Sequence, residues 1–281
     1  MAVQFAVVVI FGSSVLHGRL PFIPLFIRFG GAAVILAVAL VVTRRPLVPQ
    51  RGEWLGIALG GLVGYSTESA LYFSSLNHGS AAAVTLLFYL YPVWVMVATI
   101  AIDRRSPGAK LVVALMFALA GSAIVVAGSS TVELQPLGIV LALGCSIAYT
   151  TYLMVTDRVV RLTDPMTSAM WLSAGAALGN LAYAFLFNAR AWPSGGDWWR
   201  LAGMALFSAG AFACMLAGLQ RIGAVRNAII GVMEPLTVAL LAFVFLGEAV
   251  TVPTAIGGLL ILAGAILATL VRTTATAEPN V

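Results

Sequence analysis

Residues 224–248 read AVRNAIIGVMEPLTVALLAFVFLGE, an apolar stretch long enough to cross a bilayer that carries a single acid in its interior, Glu234, directly before Pro235. Glu234 lies about ten residues from one end of that stretch, so at 1.5 Å per residue it reaches roughly 15 Å, near the midplane. Pro235 has no N–H to give the Gly231 carbonyl, and a kink is expected there. Residues 80–104, SAAAVTLLFYLYPVWVMVATIAIDR, carry the same plan with Tyr91-Pro92 at the centre. A shift of 143 positions (235 minus 92) superimposes the two prolines and also pairs Gly60 with Gly203, Leu76 with Leu219, Ala81 with Ala224, and Ala120-Gly121 with Ala263-Gly264. Each match is cheap in so biased a composition, but one gapless register held across three helices is not.

The whole chain has this character. Of 281 residues, 61% are hydrophobic and 9% charged, against about 25% charged in a soluble domain. Lipid must cover most of such a surface. The formal charge of +5 does not make a nucleic-acid binder, because the basic residues sit in short runs between apolar segments rather than along one face. Lys110 is the only lysine, which with heavy Ala, Val and Gly points to a bacterial gene.

Apolar stretches recur every 25 to 30 residues or so, and spans are expected near 3–17, 22–42, 54–76, 81–102, 110–129, 136–156, 166–187, 198–219, 225–246 and 253–271. The first is too short for a span, and the true start of the chain is expected to lie further upstream. Alternate loops collect Arg44, Arg45, Arg51, Arg104, Arg105, Lys110, Arg158, Arg161, Arg221, Arg226 and Arg272 on one side, and Arg19, Arg190 and Arg200 on the other. That excess places both termini in the cytoplasm and requires an even number of spans. The fold expected is therefore all-α, a polytopic membrane protein of about ten helices in two inverted five-helix repeats. Residues 1–130 form the first repeat, 131–272 the second, and 273–281 a disordered cytoplasmic tail. An odd number of helices per repeat is what inverts the second half.

Acids at bilayer depth cost several kcal/mol unless paired, hydrated or protonated, so Glu234 and Glu68 are functional candidates. Glu234 reads either as a solute or ion site at a broken helix, or as a protonated acid bonded to a neighbouring helix. Arg28 and Glu68 fall at similar depths and are expected to pair, as a register-fixing ion pair or in a gating or carboxylate-binding role, although Arg28 also has the length to snorkel outward. Tyr89, Tyr91, Tyr149, Tyr152 and Asn180 occupy mid-span positions and are expected to line a polar cavity, with interhelical hydrogen bonding the plainer alternative. Pro92 and Pro235 mark the helix breaks. Gly56, Gly60 and Gly64, and Gly175 with Gly179, permit close helix contact, in an internal seam or a homodimer. Cys145 and Cys214 read as inert packing thiols. Trp192, Trp198 and Trp199 read as an interfacial belt. No metal-ligand spacing, nucleotide loop or nucleophile–base pair is present, so no enzyme activity and no cofactor are expected.

With these residues in place, the chain resembles the EamA branch of the drug/metabolite transporter superfamily. Residues 224–248, with Glu-Pro and a terminal Leu-Gly-Glu, are similar to that family's ninth helix, and Arg28-Phe29 to its Arg-Phe step. The first half departs from it, with Tyr91-Pro92 in place of Glu-Pro and Asp103-Arg104 where Leu-Gly-Glu would stand. Glu68 maps to no family motif. The resemblance implies ten helices, a central cavity, and export or uptake of an amino acid or related metabolite. The function expected is secondary transport by alternating access in the bacterial inner membrane. Its partners are a small-molecule solute and lipid, not nucleic acid, with proton or cation coupling and a homodimer as further expectations. The alternatives are an uncoupled permease of the same fold and a non-transporting scaffold subunit.

Overall fold

The computed structural model describes residues 20–104, 108–128, 135–189, 191–237, 240–241 and 251–270, with positions 4, 7, 8, 11 and 15 of the first segment. Side chains 81, 82 and 103 are not among those described. The helix expected at 3–17 therefore falls mostly outside, as do His17, Arg19, Arg190, Arg272, the terminal Leu246, Gly247 and Glu248, and the tail at 273–281.

Among the described residues the protein is helical, with no β-sheet. Helix α1 spans Phe22–Val42, and α2 (Trp54–Leu59) runs through a π-helical stretch, Gly60–Tyr65, into α3 (Ser66–Ser75). Then follow α4 (Ala81–Phe88), α5 (Tyr91–Asp103), α6 (Ala109–Ala127), α7 (Pro136–Val159), α8 (Pro165–Leu186), α9 (Trp198–Gly231) and α10 (Val252–Leu270). Seven helical segments are long and apolar enough to cross a membrane: 22–42, 83–102, 109–127, 136–159, 165–186, 195–231 and 252–270. Their outward faces are apolar, as lipid contact demands; Val34, Val38 and Val42 on α1 and Leu259, Ile266 and Leu270 on α10 are all exposed.

The ends follow from local chemistry. Ser80 caps α4 by accepting from the Ala83 N–H at 3.3 Å. Asp164 caps α8, accepting from Met166 N at 2.9 Å and Thr167 N at 3.3 Å, with Pro165 at the first position. Within α9 the backbone turns a corner at Gly223, φ 74° and ψ 170°, a conformation that favours glycine. The break expected between 219 and 225 is this corner.

The two prolines do more than kink. Helix α4 stops at Phe88, residues 89–90 form a turn, and α5 begins at Tyr91 with Pro92 in its first turn. In the second half α9 stops at Gly231, 232–233 form a turn, and helix resumes at Glu234 with Pro235. Proline is well tolerated in a first turn, where its missing N–H would have no partner anyway. Phe88 and Gly231, the last residues before each break, are themselves 143 apart.

Helices α6 and α10 pack closely, and their contact repeats at the same offset. A Cβ on Gly121 would strike Gly257 and Ile261, and one on Gly264 would strike Ala114 and Ala118. Adding 143 to 121, 114 and 118 gives 264, 257 and 261, so the two contacts are one contact seen from either helix. Position numbers rise along α6 as those of the partners fall along α10, so the helices run antiparallel.

The glycines of the third segment lie in an internal seam. Gly56 faces Val159, Gly60 faces Leu172, and Gly61 touches the Leu172 backbone of α8. Gly175 and Gly179 meet Ala58, Leu62 and Ser66 from the other side.

At one end of the bundle the loop between α1 and α2 is clasped to the loop between α7 and α8. The Glu53 carboxylate, 8% exposed, accepts from Arg161 N (3.0 Å), Leu162 N (2.8 Å), Thr163 N (2.9 Å) and Thr163 Oγ1 (2.6 Å). Arg45 pairs with Asp164 at 3.2 Å, and the Gln220 amide of α9 donates to the Thr163 carbonyl at 2.8 Å. Burial alone would raise the Glu53 carboxyl, but the hydrogen bonds from Thr163, Leu162 and Arg161 outweigh it and hold it below its usual value. Arg44, Arg45, Arg51, Arg158 and Arg161 lie on or beside these loops, so basic residues expected on a common side share one end of the molecule.

Candidate functional site

The broken helices meet at a cavity of about 680 Å³, including its open mouth, lined by residues from α1, the π-helical stretch, α3, α4, α5, α7 and α9. Both breaks contribute. Phe88 and Gly231 line it as the last residues before each turn, Tyr89 from the first turn, and Tyr91 and Glu234 as the residues at which each helix resumes. Because Pro92 and Pro235 lack an N–H, the Phe88 and Gly231 carbonyls lose their i+4 donors beside this space.

The walls are aromatic. Tyr91 and Tyr149 meet edge to face with centroids 4.7 Å apart, Phe88 lies 5.1 Å from Tyr91 and 5.4 Å from Tyr149, and Tyr65 packs on Phe212 at 4.6 Å. Tyr72 closes the ring against Phe73 and Phe88. Hydrogen bonds fix the phenols. Tyr91 donates to the Ala228 carbonyl at 3.0 Å, tying the first break to the end of α9. Tyr89 donates to the Glu234 carboxyl. The Tyr149 hydroxyl lies 3.3 Å from Met215 Sδ, and that of Tyr72 lies 3.2 Å from Thr85 Oγ1.

Three ionisable side chains share this space: Arg28, Glu68 and Glu234. Arg28 is 3% exposed. Its Nε donates to Ser208 Oγ of α9 at 2.7 Å, its guanidinium bonds the Tyr65 hydroxyl, and Cζ stands 4.6 Å over the Phe29 ring. Glu68 accepts from the Cys145 thiol at 3.8 Å. Arg28 and Glu68 thus come together in one cavity as expected from their depths, but each has a hydrogen-bond partner other than the other. Cys145, read as a packing thiol, is buried and turned to an acid, whereas Cys214 is exposed.

The structure brings Glu234, Tyr89, Tyr91, Tyr149, Arg28 and Glu68 to the cavity and leaves two expected residues behind it. Tyr152 is buried against Tyr65 at 5.1 Å, one layer out. Asn180 is buried in α8 and gives its amide N–H to the Ala176 carbonyl of its own helix at 2.9 Å. Sequence reasoning missed Tyr65, Ser69, Tyr72, Phe73 and Phe88. Tyr65, Ser69, Tyr72 and Phe73 recur at helical spacing with Glu68, and that pattern was a readable signal.

An all-helical bundle of apolar, multiply spanning segments around a buried, charged cavity defines a membrane protein built to pass a small polar molecule. The chain matches the EamA-like transporter family over residues 1–127 and 136–270. It belongs to that family, and is a multi-pass inner-membrane transporter of the EamA type. Among its relatives, an aromatic amino acid exporter of Ancylobacter novellus is 29% identical over 86% of this chain and 84% of its own. An uncharacterized inner membrane transporter of Salmonella typhimurium is 26% identical over 80% and 76%. A solved crystal structure superimposes with a TM-score of 0.74 at 21% identity, covering 95% of this chain and 96% of that one, which shows a shared fold.

Proposed function

We propose that the protein is a secondary transporter that moves an amino acid or related solute, in the export direction, by alternating access between two inverted halves, residues 1–130 and 131–272, of five helices each. The observation that carries the reading is the pair of helix breaks, 143 positions apart, that open on one cavity with Glu234 and Tyr91 at equivalent places. The antiparallel, self-matching contact of α6 with α10 supports the inversion, since equivalent helices that cross in opposite senses are what inverted repeats produce. The loop charges put both termini in the cytoplasm.

Glu234 serves as the proton or cation site, or anchors the solute's amino group; Tyr89, Tyr91 and Tyr149 line the path, and the turns at 89–90 and 232–233 give the breaks their play. The aromatic walls favour a large apolar or aromatic side chain, as does the relative named an aromatic amino acid exporter. The test is counterflow and gradient-driven uptake of radiolabelled amino acids in proteoliposomes. Accumulation above the equilibrium level under an imposed proton gradient is expected. Uptake that halts at equal concentrations and ignores the gradient would make the protein an uncoupled permease.

A further inference from the structure

A guanidinium offers five N–H donors in a planar fork, and the hydrogen bonds formed by Arg28 account for only part of that fork. Nε is spent on Ser208 at 2.7 Å and one bond reaches the Tyr65 hydroxyl. The side chain borders empty space in a cavity that also holds Glu68 and Glu234, each with its own donor, Cys145 and Tyr89. Ser208 and the Phe29 ring hold the guanidinium from the side. This is how a binding fork is positioned: Nε and the apolar face are restrained while the Nη end is left for a ligand. A carboxylate matches that end with two parallel hydrogen bonds.

We propose that Arg28 is the carboxylate subsite of the cavity, held in place by Ser208, and that the transported solute is carried by its carboxylate. The proposal rests on the reading of the cavity as the solute site. It sets the solute's polarity within the site, with the carboxylate against α1 and α9 and the remainder against the aromatic ring. Two cavity acids face one guanidinium, so an ammonium on the same solute restores the balance of charge once its carboxylate occupies Arg28. The class selected is the zwitterionic amino acids. Amines and amides of the same shape lack the group that Arg28 holds.

The test pairs each acid with its amide: phenylalanine, leucine and threonine against phenylalaninamide, leucinamide and threoninamide, measured as proteoliposome counterflow with the full chain. Wild type is expected to prefer the acid of at least one pair by about ten-fold or more, the worth of a charge-assisted hydrogen bond. Arg28→Gln is expected to abolish that preference while still carrying the amide, which shows the variant to be folded. Ser208→Ala, a positioning change, is expected to reduce the acid-to-amide ratio several-fold while leaving amide transport near wild type. If Arg28→Gln carries neither compound, the ratios in Arg28→Lys and Ser208→Ala decide, and unchanged ratios overturn the proposal. Wild type that carries acid and amide equally overturns the carboxylate subsite and leaves the transport function standing. Wild type that carries no member of the panel overturns both.

Discussion

Replacing Glu53 by alanine removes the acceptor for four hydrogen bonds at once. Two of the donors, Arg161 N and Leu162 N, belong to exposed or half-exposed residues, and water can take over those bonds. The Thr163 N–H and hydroxyl are different, because Thr163 is 3% exposed. Charge-assisted hydrogen bonds contribute about 1.5–3 kcal/mol each and a stranded buried donor costs about 1–3 kcal/mol, so with relaxation the loss is about 2–4 kcal/mol. At about 2–4 °C per kcal/mol for a chain of this size class, Glu53→Ala is expected to melt roughly 5–15 °C below wild type in detergent at neutral pH. The pH dependence has a definite sign. The folded carboxyl is held below its unfolded value, so its contribution is complete above the ordinary carboxylate range and disappears as pH falls through the depressed folded value. The gap between wild type and Glu53→Ala therefore narrows on acidification. A variant that melts with wild type at neutral pH, or a gap that stays constant down to about pH 3, would refute the clasp.

Glycine substitutions separate contact from composition. Gly121→Ala puts a methyl group into the α10 backbone and is expected to destabilise by about 1–3 kcal/mol, whereas Gly195→Ala meets nothing within 4 Å and should leave the melting temperature unchanged. Tyr91→Phe removes the 3.0 Å bond to the Ala228 carbonyl; an interhelical bond of this kind is worth about 0.6–1.7 kcal/mol, so flux should change several-fold with little loss of folded protein, and unaltered kinetics would exclude a part for this link in the cycle.

Much of this architecture was legible because it depends on backbone chemistry that single residues advertise. Pro92 and Pro235 must interrupt a hydrogen-bond ladder, and the 143-residue register located the equivalent break and the α6–α10 seam. Mid-span placement brought Glu234, Tyr89, Tyr91 and Tyr149 to the cavity, but depth is blind to direction around a helix. Asn180 sits at a plausible depth and bonds to its own helix, and Tyr152 lies a layer behind Tyr65. The largest omission, the face carrying Tyr65, Ser69, Tyr72 and Phe73, has a physical source. The π-helical stretch at Gly60–Tyr65 shifts the phase of everything after it, so a 3.6-residue count from Trp54 turns the wrong side inward. The Arg28–Glu68 pairing failed to emerge as drawn because equal depth brings two charges to one cavity without choosing their hydrogen-bond partners. Ser208 and Cys145, both short and on other helices, could not be foreseen from spacing.

The central claim, that the cavity at the two helix breaks is the coupled path of a solute, is tested most directly by Glu234→Gln in proteoliposomes, with amino-acid flux measured as a function of pH on both sides of the membrane. The account predicts that the variant folds, loses gradient-driven accumulation, and carries what flux is left with little dependence on pH. Flux and pH dependence equal to those of wild type would contradict it.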